Sequence, residues 1–400
     1  MVVRLRHTVL GRRAAAAVLA ALATVVACAL LAAAPAAAAT LTGTLSQSTV
    51  VYGASVTVAG VVAPAVEGQE VAVALAGADL GTALTDASGA FSFSFTPARS
   101  GDVTARLVAD GSLSTPAPLV VKPAVAVSHG ALIPFLSTRF VLRVSPSTYT
   151  GDVVARVYHR GRRVATVRGR CVDGRAALLV PLRGIEWFGV RFELAPTAEL
   201  GARTVKTSVK LEWRRLAVGS RGPRVRGVLT QLGRLRILVP GTGETFTSAV
   251  ADAVVAFQKT YRLPRTYVMD YDDWRKLDGA VRIKPRYSSP ERHLEIDETR
   301  QIIMVVKQGV VLGIVPVSTG ATGNTPEGAL SILRKRPMSA TYDGSVALPR
   351  FMTFYGAMGI HGYPVVPPYP ASHGCVREPL WACDWVYDRA FVGERLYLYF

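Results

Sequence analysis

The chain has 400 residues, long for a single domain, and half of them are hydrophobic, which excludes wholesale disorder. Its 36 glycines and 24 prolines argue against a mainly helical protein and for many short strands. The formal charge of +18, from 46 basic and 28 acidic side chains, points to a polyanionic partner: nucleic acid, anionic membrane or anionic cell-wall polymer.

The first 39 residues carry four charges, all basic (Arg4, Arg6, Arg12 and Arg13), followed by an uncharged run from Ala14 to Ala39 that closes on Ala-x-Ala sites. A basic start, an apolar middle and small terminal residues read as a secretory signal peptide. The run is also long enough to span a bilayer, so retention as an N-terminal membrane anchor is the alternative. Loss of the four arginines leaves a chain of +14. Export places it at the cell wall or on the outer face of the cytoplasmic membrane. No helix-turn-helix, zinc finger or aromatic-basic RNA signature is present, so nucleic acid is not the expected partner. Three cysteines remain (Cys171, Cys375 and Cys383), and an odd number in an oxidising compartment leaves at least one thiol buried or in use.

Residues 40–122 alternate apolar and polar with period two at Ser55-Val56-Thr57-Val58, Glu70 to Leu75 and Phe91 to Phe95, with Gly and Pro between, which predicts a β-sandwich. With its Thr85-Asp86-Ala87-Ser88-Gly89 turn, this stretch resembles bacterial immunoglobulin-like repeats. Residues 123–215 read as a second, divergent β-sandwich, carried by Phe140 to Val144, Val153 to Val157 and Ala177 to Val180. A spacer role is expected for both.

From 216 to 280 the period changes to that of helices, with Val225, Val228, Leu229 and Leu232 on one stripe and Val250, Val254 and Phe257 on another. Three short helices bearing Phe257-Gln258-Lys259 and Trp274-Arg275-Lys276-Leu277 resemble the small peptidoglycan-binding module. Val239-Pro240-Gly241-Thr242-Gly243 stands where that module has an Asp-Gly turn. A small bundle that binds nothing is the alternative.

Residues 290–400 return to strands: Leu294 to Asp297, Gln301 to Val306 and Val310 to Val315, joined by tight turns, with loop signals at Ser318-Thr319-Gly320 and Thr325-Pro326-Glu327-Gly328. Near the end stand His361-Gly362-Tyr363 and Ser372-His373-Gly374-Cys375-Val376-Arg377. A cysteine nucleophile needs a base to remove its proton, and a histidine whose tautomer is held serves near neutral pH. It also needs N–H donors for the oxyanion, and a glycine beside it lets backbone approach a substrate. These residue types suffice for acyl transfer through a thioester. Zinc held by His361, His373 and Cys375 lacks a fourth ligand at usual spacing, so no metal is expected.

The His-Gly and Ser-His-Gly-Cys-Val-Arg segments, the order of the preceding hairpin and loops, and the closing Trp385-Val386-Tyr387-Asp388 helix and Arg395 to Tyr399 strand resemble YkuD-type L,D-transpeptidases over about 110 residues. The resemblance implies a mainly β multidomain protein ending in a β-rich catalytic domain, with Cys375 as nucleophile and His361 as its base, oriented by the Gly362 carbonyl. It implies an oxyanion site from backbone N–H groups around His373, Gly374 and Cys375, and a pocket shaped by Ser372, Arg377, Tyr355 and Met352. The implied reaction is a 3→3 cross-link between peptidoglycan stems with release of D-Ala, without a cofactor and open to acylation by carbapenems. Peptidoglycan stem peptides and glycan are the partners it implies. Hydrolysis of the thioester by water, or a wall-binding scaffold with idle residues, are the alternatives. Arg377 stands where many members carry Asn, and either a substrate carboxylate or a structural ion pair would occupy it. Cys383 shares a helical face with Leu380 and Tyr387 and reads as a core thiol, with a disulfide to Cys375 the alternative; Cys171 reads as structural.

Overall fold

A computed structural model describes residues 39–342 and 344–400. The signal-peptide reading falls on residues 1–39, of which all but Ala39 lie outside the described residues. The described chain is mainly β, with 25 strands and four helices, and it divides into two compact units.

The first unit runs to Ala124 and includes Pro196–Gly201. One sheet joins Thr40–Leu41, Val56–Ala63, Thr44–Leu45 and Ala90–Phe95; the other has the order Thr49–Val51, Ala117–Lys122, Gly101–Leu107, Glu70–Leu75, Ala78–Leu84. Val62 and Phe91 from one sheet and Val71, Ala105 and Leu107 from the other close a common core. The expected turn is held by Asp86, whose carboxylate accepts from the N–H groups of Ser88 and Ala90. Gly89 follows in the left-handed region at φ 77°.

The second unit comprises Val125–Ala195 and Ala202–Phe400. Its first part has two sheets, Ala124–His129/Ser137–Ser145/Arg175–Pro181 and Arg162–Cys171/Gly151–His159/Glu186–Leu194/Arg203–Leu211. Phe140 from one sheet meets Phe192 from the other at 5.6 Å. Cys171 is fully buried here.

Three helices follow: α1 (Pro223–Arg234), α2 (Ser248–Thr260) and α3 (Tyr271–Gly279). Each starts with local chemistry suited to a helix N-terminus. Pro223 opens α1, Thr247 caps α2, and Asp270 with Asp273 forms a capping box on α3. Their apolar stripes are buried as the spacing predicts. Of the residues that carry the resemblance to a wall-binding module, Phe257, Gln258, Lys259, Trp274 and Leu277 are buried, and Arg275 and Lys276 are exposed. Phe257, Trp274 and Leu277 are core; Trp274 stacks on Phe135 of the preceding sandwich at 5.8 Å. The Gln258 amide knits the turn at Thr266 and Val268, and Lys259 reaches into the next domain.

The last domain has two sheets. The strands are β1 (Arg292–Asp297), β2 (Ile302–Lys307), β3 (Val310–Pro316), β4 (Gly328–Ser331), β5 (Arg334–Ala340), β6 (Ala347–Tyr355), β7 (Met358–Tyr363), β8 (Val376–Pro379) and β9 (Arg395–Tyr399), with α4 (Leu380–Arg389) before the last. One sheet has the order β3-β2-β1-β9-β4 and the other β5-β6-β7-β8. The continuous apolar run of β2 is explained by burial on both faces. Ile303 and Val305 face the core between the sheets, with Met352, Phe354, Ile360 and Val376 opposite. Ile302, Met304 and Val306 share a second core with the three helices. The helices thus form a layer continuous with this last domain. The segment after α1 extends the sheet, Leu238 N–H donating to the Ile314 carbonyl at 2.9 Å, which covers the β3 edge.

Candidate active site

β7 and β8 run parallel, and their register sets His361 opposite Arg377. Gly362 follows His361 because α4 packs directly on it: a Cβ there would stand 2.8 Å from Cys383 Sγ and 3.1 Å from Leu380 Cδ2. The His361 ring is buried, 2% exposed, and stacked on Phe351 at 5.7 Å. Its Nδ1 lies 2.9 Å from the Gly362 carbonyl. A carbonyl only accepts, so Nδ1 carries the proton and Nε2 keeps the lone pair of a base. Burial pulls the His361 pKa below its usual 6.5; the Gly362 hydrogen bond opposes this and the nearby Arg377 charge adds to it.

Cys375 ends the loop before β8 and is partly buried. Burial raises its pKa above the usual 9.0, while a Gly359 N–H and the Arg377 charge favour the thiolate. Burial thus favours the neutral form of each group, thiol and imidazole. The Gly359 N–H and the Arg377 charge are placed to stabilise negative charge on the sulfur.

The loop itself is tied from three sides. Ser372 Oγ accepts from Gly374 N–H at 3.1 Å and donates to the Cys375 carbonyl at 2.5 Å. Thr325 Oγ1 accepts from Gly320 N–H at 2.8 Å and donates to the Gly374 carbonyl at 3.0 Å. The Thr319 carbonyl accepts from Ala371 and Ser372 N–H, and Ser318 exchanges both backbone bonds with Arg377 at 2.9 Å. Gln301 holds Thr319 in turn through both its backbone N–H and its hydroxyl. The helical layer adds a fourth support. Lys259 Nζ donates to the Val317 carbonyl at 2.7 Å, Arg265 to the Pro368 carbonyl at 2.6 Å, and Tyr267 to the Val366 carbonyl at 3.1 Å. Arg265 and Tyr267 pin the connection between His361 and Cys375, and Lys259 pins the segment before Ser318.

Gly374 is in the left-handed region at φ 118°, and a Cβ there would lie 2.6 Å from Met358 Cε. Its N–H is engaged by Ser372 Oγ. That corrects one expectation, since Gly374 N–H is not open to an oxyanion. The N–H groups of His373 and Cys375 donate to no protein acceptor among the described residues.

A cleft of about 930 Å³ is lined by His361, Ser372, His373, Cys375 and Arg377 together. Two expected pocket residues are not there. Met352 is fully buried in the core, because alternation along β6 turns it away from the cleft that Phe351 and Thr353 face. Tyr355 ends β6 beside the tight turn to β7 and is 54% exposed outside the cleft lining. Arg377 makes no ion pair among the described residues; its guanidinium lies over the Tyr363 ring at 4.3 Å. Cys375 and Cys383 are both free thiols, and Cys383 is buried beside Ala382 and Val386, whereas Leu380 is exposed. Sequence reasoning missed Gly359, Thr325, Gln301 and Lys259. Only the loop signals around Thr325 gave a local hint: Gln301 and Lys259 act from a distant turn and a helix, and Gly359, on the His361 strand, acts through a backbone N–H that no side-chain pattern marks.

The sequence model of the L,D-transpeptidase catalytic domain, YkuD, matches residues 291–398. This C-terminal domain is a YkuD-type L,D-transpeptidase catalytic domain. No curated protein matches the chain. Among solved structures, an L,D-transpeptidase from Xylanimonas cellulosilytica is 30% identical over 48% of this chain and 100% of its own, with a TM-score of 0.45. One from Stackebrandtia nassauensis is 21% identical over 46% and 95%, with a TM-score of 0.32. One from Mycobacterium smegmatis is 14% identical over 70% and 99%, with a TM-score of 0.26.

Proposed function

We propose that this YkuD domain is a cysteine-dependent transpeptidase that forms 3→3 cross-links between peptidoglycan stems outside the cytoplasm. The observation that carries the reading is a half-buried thiol sharing one cleft with a histidine whose Nδ1 is committed to a carbonyl, leaving Nε2 as base.

Cys375 Sγ attacks the carbonyl carbon joining stem residue three to the terminal D-Ala while His361 Nε2 takes the thiol proton. The N–H groups of Cys375 and His373 receive the oxyanion. Collapse breaks the C–N bond, His361 returns the proton to the leaving amine, and D-Ala departs. The amine of a second stem then attacks the thioester, losing its proton to His361, and the new amide forms as the thiol is regenerated. This chemistry calls on no cofactor. The strained amide of a carbapenem presents the same carbonyl to Cys375 and is expected to acylate it.

Incubation of the purified protein and a Cys375→Ala variant with disaccharide-tetrapeptide, read by mass spectrometry, tests the proposal. A dimer lacking one D-Ala, absent with the variant, supports it. Tripeptide without dimer would establish an L,D-carboxypeptidase instead. Unchanged stem with both proteins would leave a wall-binding scaffold.

A further inference from the structure

Three guanidinium groups line the cleft, from Arg334 and Arg336 on β5 and Arg377 on β8, and no acidic side chain is among its described lining residues. The register shows how they are disposed. Arg336 pairs with Phe351, whose ring stacks on His361, and His361 pairs with Arg377. One row across the sheet thus runs Arg336, Phe351, His361, Arg377. The neighbouring row runs Arg334, Thr353, Gly359 and ends at Cys375, one residue before Val376 opposite Ile360.

With about 4.8 Å between adjacent strands, Arg336 and Arg377 stand roughly 14 Å apart at their backbones, on opposite sides of His361. That span matches about four extended residues, the length of a tetrapeptide stem. None of the three arginines makes an ion pair among the described residues. Arg334 and Arg336 are exposed, and Arg377 is steadied over Tyr363. Like charges gathered without a counter-charge repel one another, and an anionic ligand reverses that cost. A carboxylate matches the guanidinium fork with two parallel hydrogen bonds. Amidation replaces one accepting oxygen with an N–H₂ donor and removes the charge, setting donor against donor.

We propose that Arg334, Arg336 and Arg377 make this site selective for donor stems whose carboxylates are free, against stems in which those carboxylates are amidated. Arg377, next to Cys375, faces the carboxylate nearest the scissile bond. That is the carboxylate of the terminal D-Ala, and Arg334 and Arg336 face the next one along the stem, the side-chain carboxylate of residue three. The inference rests on the transpeptidase reading for its ligand, and binding rather than turnover decides it.

The full chain carrying Cys375→Ala is titrated calorimetrically with disaccharide-tetrapeptide in its free-acid form and in the form amidated on diaminopimelate. The free acid is expected to bind on the order of tenfold more tightly, the share of one charge-assisted hydrogen-bonded pair. Adding Arg334→Gln and Arg336→Gln should remove the preference, and Arg334→Lys with Arg336→Lys should restore part of it. Thermal melting of each variant checks that the fold is kept. Equal binding of the two stems, or a preference that survives the double Gln variant, overturns the proposal. A chain that discriminates the stems in binding but never releases D-Ala as wild type would sink transpeptidation and leave the selectivity standing.

Discussion

Lys259→Met separates stability from activity in a way that tests how the helical layer serves the cleft. Lys259 is 1% exposed, and burial, with the Arg265 charge adding to it, holds its pKa down to about 7 against Asp252. At about 1.4 kcal/mol per pH unit, descent from 10.5 to about 7 makes the charged form cost about 5 kcal/mol more in the fold than in the unfolded chain. The sign follows from proton counting. Between pH 7 and 10.5 the unfolded chain binds more protons, so this lysine makes stability rise with pH across that window and level off below it. Methionine has a similar shape and no charge. It removes that cost but leaves the Val317 carbonyl without its donor, a loss of about 1–3 kcal/mol. The variant should therefore be more stable than wild type at pH 7 by a few kcal/mol, with the advantage shrinking by up to about 1.4 kcal/mol per pH unit toward pH 10. Its acylation by a carbapenem should nevertheless slow, because Val317 precedes the Ser318–Thr319 backbone that holds Arg377 and Ser372. Denaturant unfolding at pH 7 and 9.5, with stopped-flow acylation, measures both. A stability difference independent of pH, or full acylation rate in the variant, would refute the reasoning.

Four further outcomes are expected. Ser372→Ala frees Gly374 N–H and the Cys375 carbonyl together, and should lose about 1–3 kcal/mol of stability and slow Cys375 acylation at least about tenfold; an unchanged rate would mean that Thr319 and Thr325 alone hold the loop. Gly374→Ala should block acylation, and a second Met358→Ala change should not rescue it, because the backbone strain at φ 118° outlasts the side-chain clash. Glu378 is fully buried with both carboxylate oxygens unpartnered among the described residues, and burial raises its pKa well above the carboxylate range. Its ionisation therefore costs stability as pH rises, so Glu378→Gln should raise Tm at pH 8 and change it little at pH 4; the reverse order would contradict the buried-acid account. Because burial holds His361 below its usual 6.5, the acid limb of kcat/KM should have its midpoint below pH 6.5, and a midpoint above that would show that the imidazole is not desolvated as described.

Local patterns carried much of this protein. Period-two runs specified the sandwich strands, and the apolar run at Gln301 to Val306 specified a strand, whose burial on both faces the fold then showed. The helical stripes at Val225 to Leu232 and Val250 to Phe257 became buried faces. The spacing of His361 and Cys375 was legible because both sit near one loop, so chain connectivity itself brings them close. Glycine at 374 was legible only as a place for close backbone approach to a substrate; its left-handed backbone and its contact with Met358 came from the fold.

What the tertiary structure alone decided is everything that depends on which strand lies beside which. β4 through β8 carry weak periodicity, and their order was not readable; that order turns Met352 into the core, Phe351 into the cleft, and lines Arg334 and Arg336 up with the reacting pair. Phe257-Gln258-Lys259 and Trp274 look alike in a free wall-binding bundle and in a docked layer, because the same apolar stripe serves either. The partner that buries it lies outside the helices, in β2 and β3 and in Phe135. Periodicity states that a face is buried. Only the assembled fold says against what.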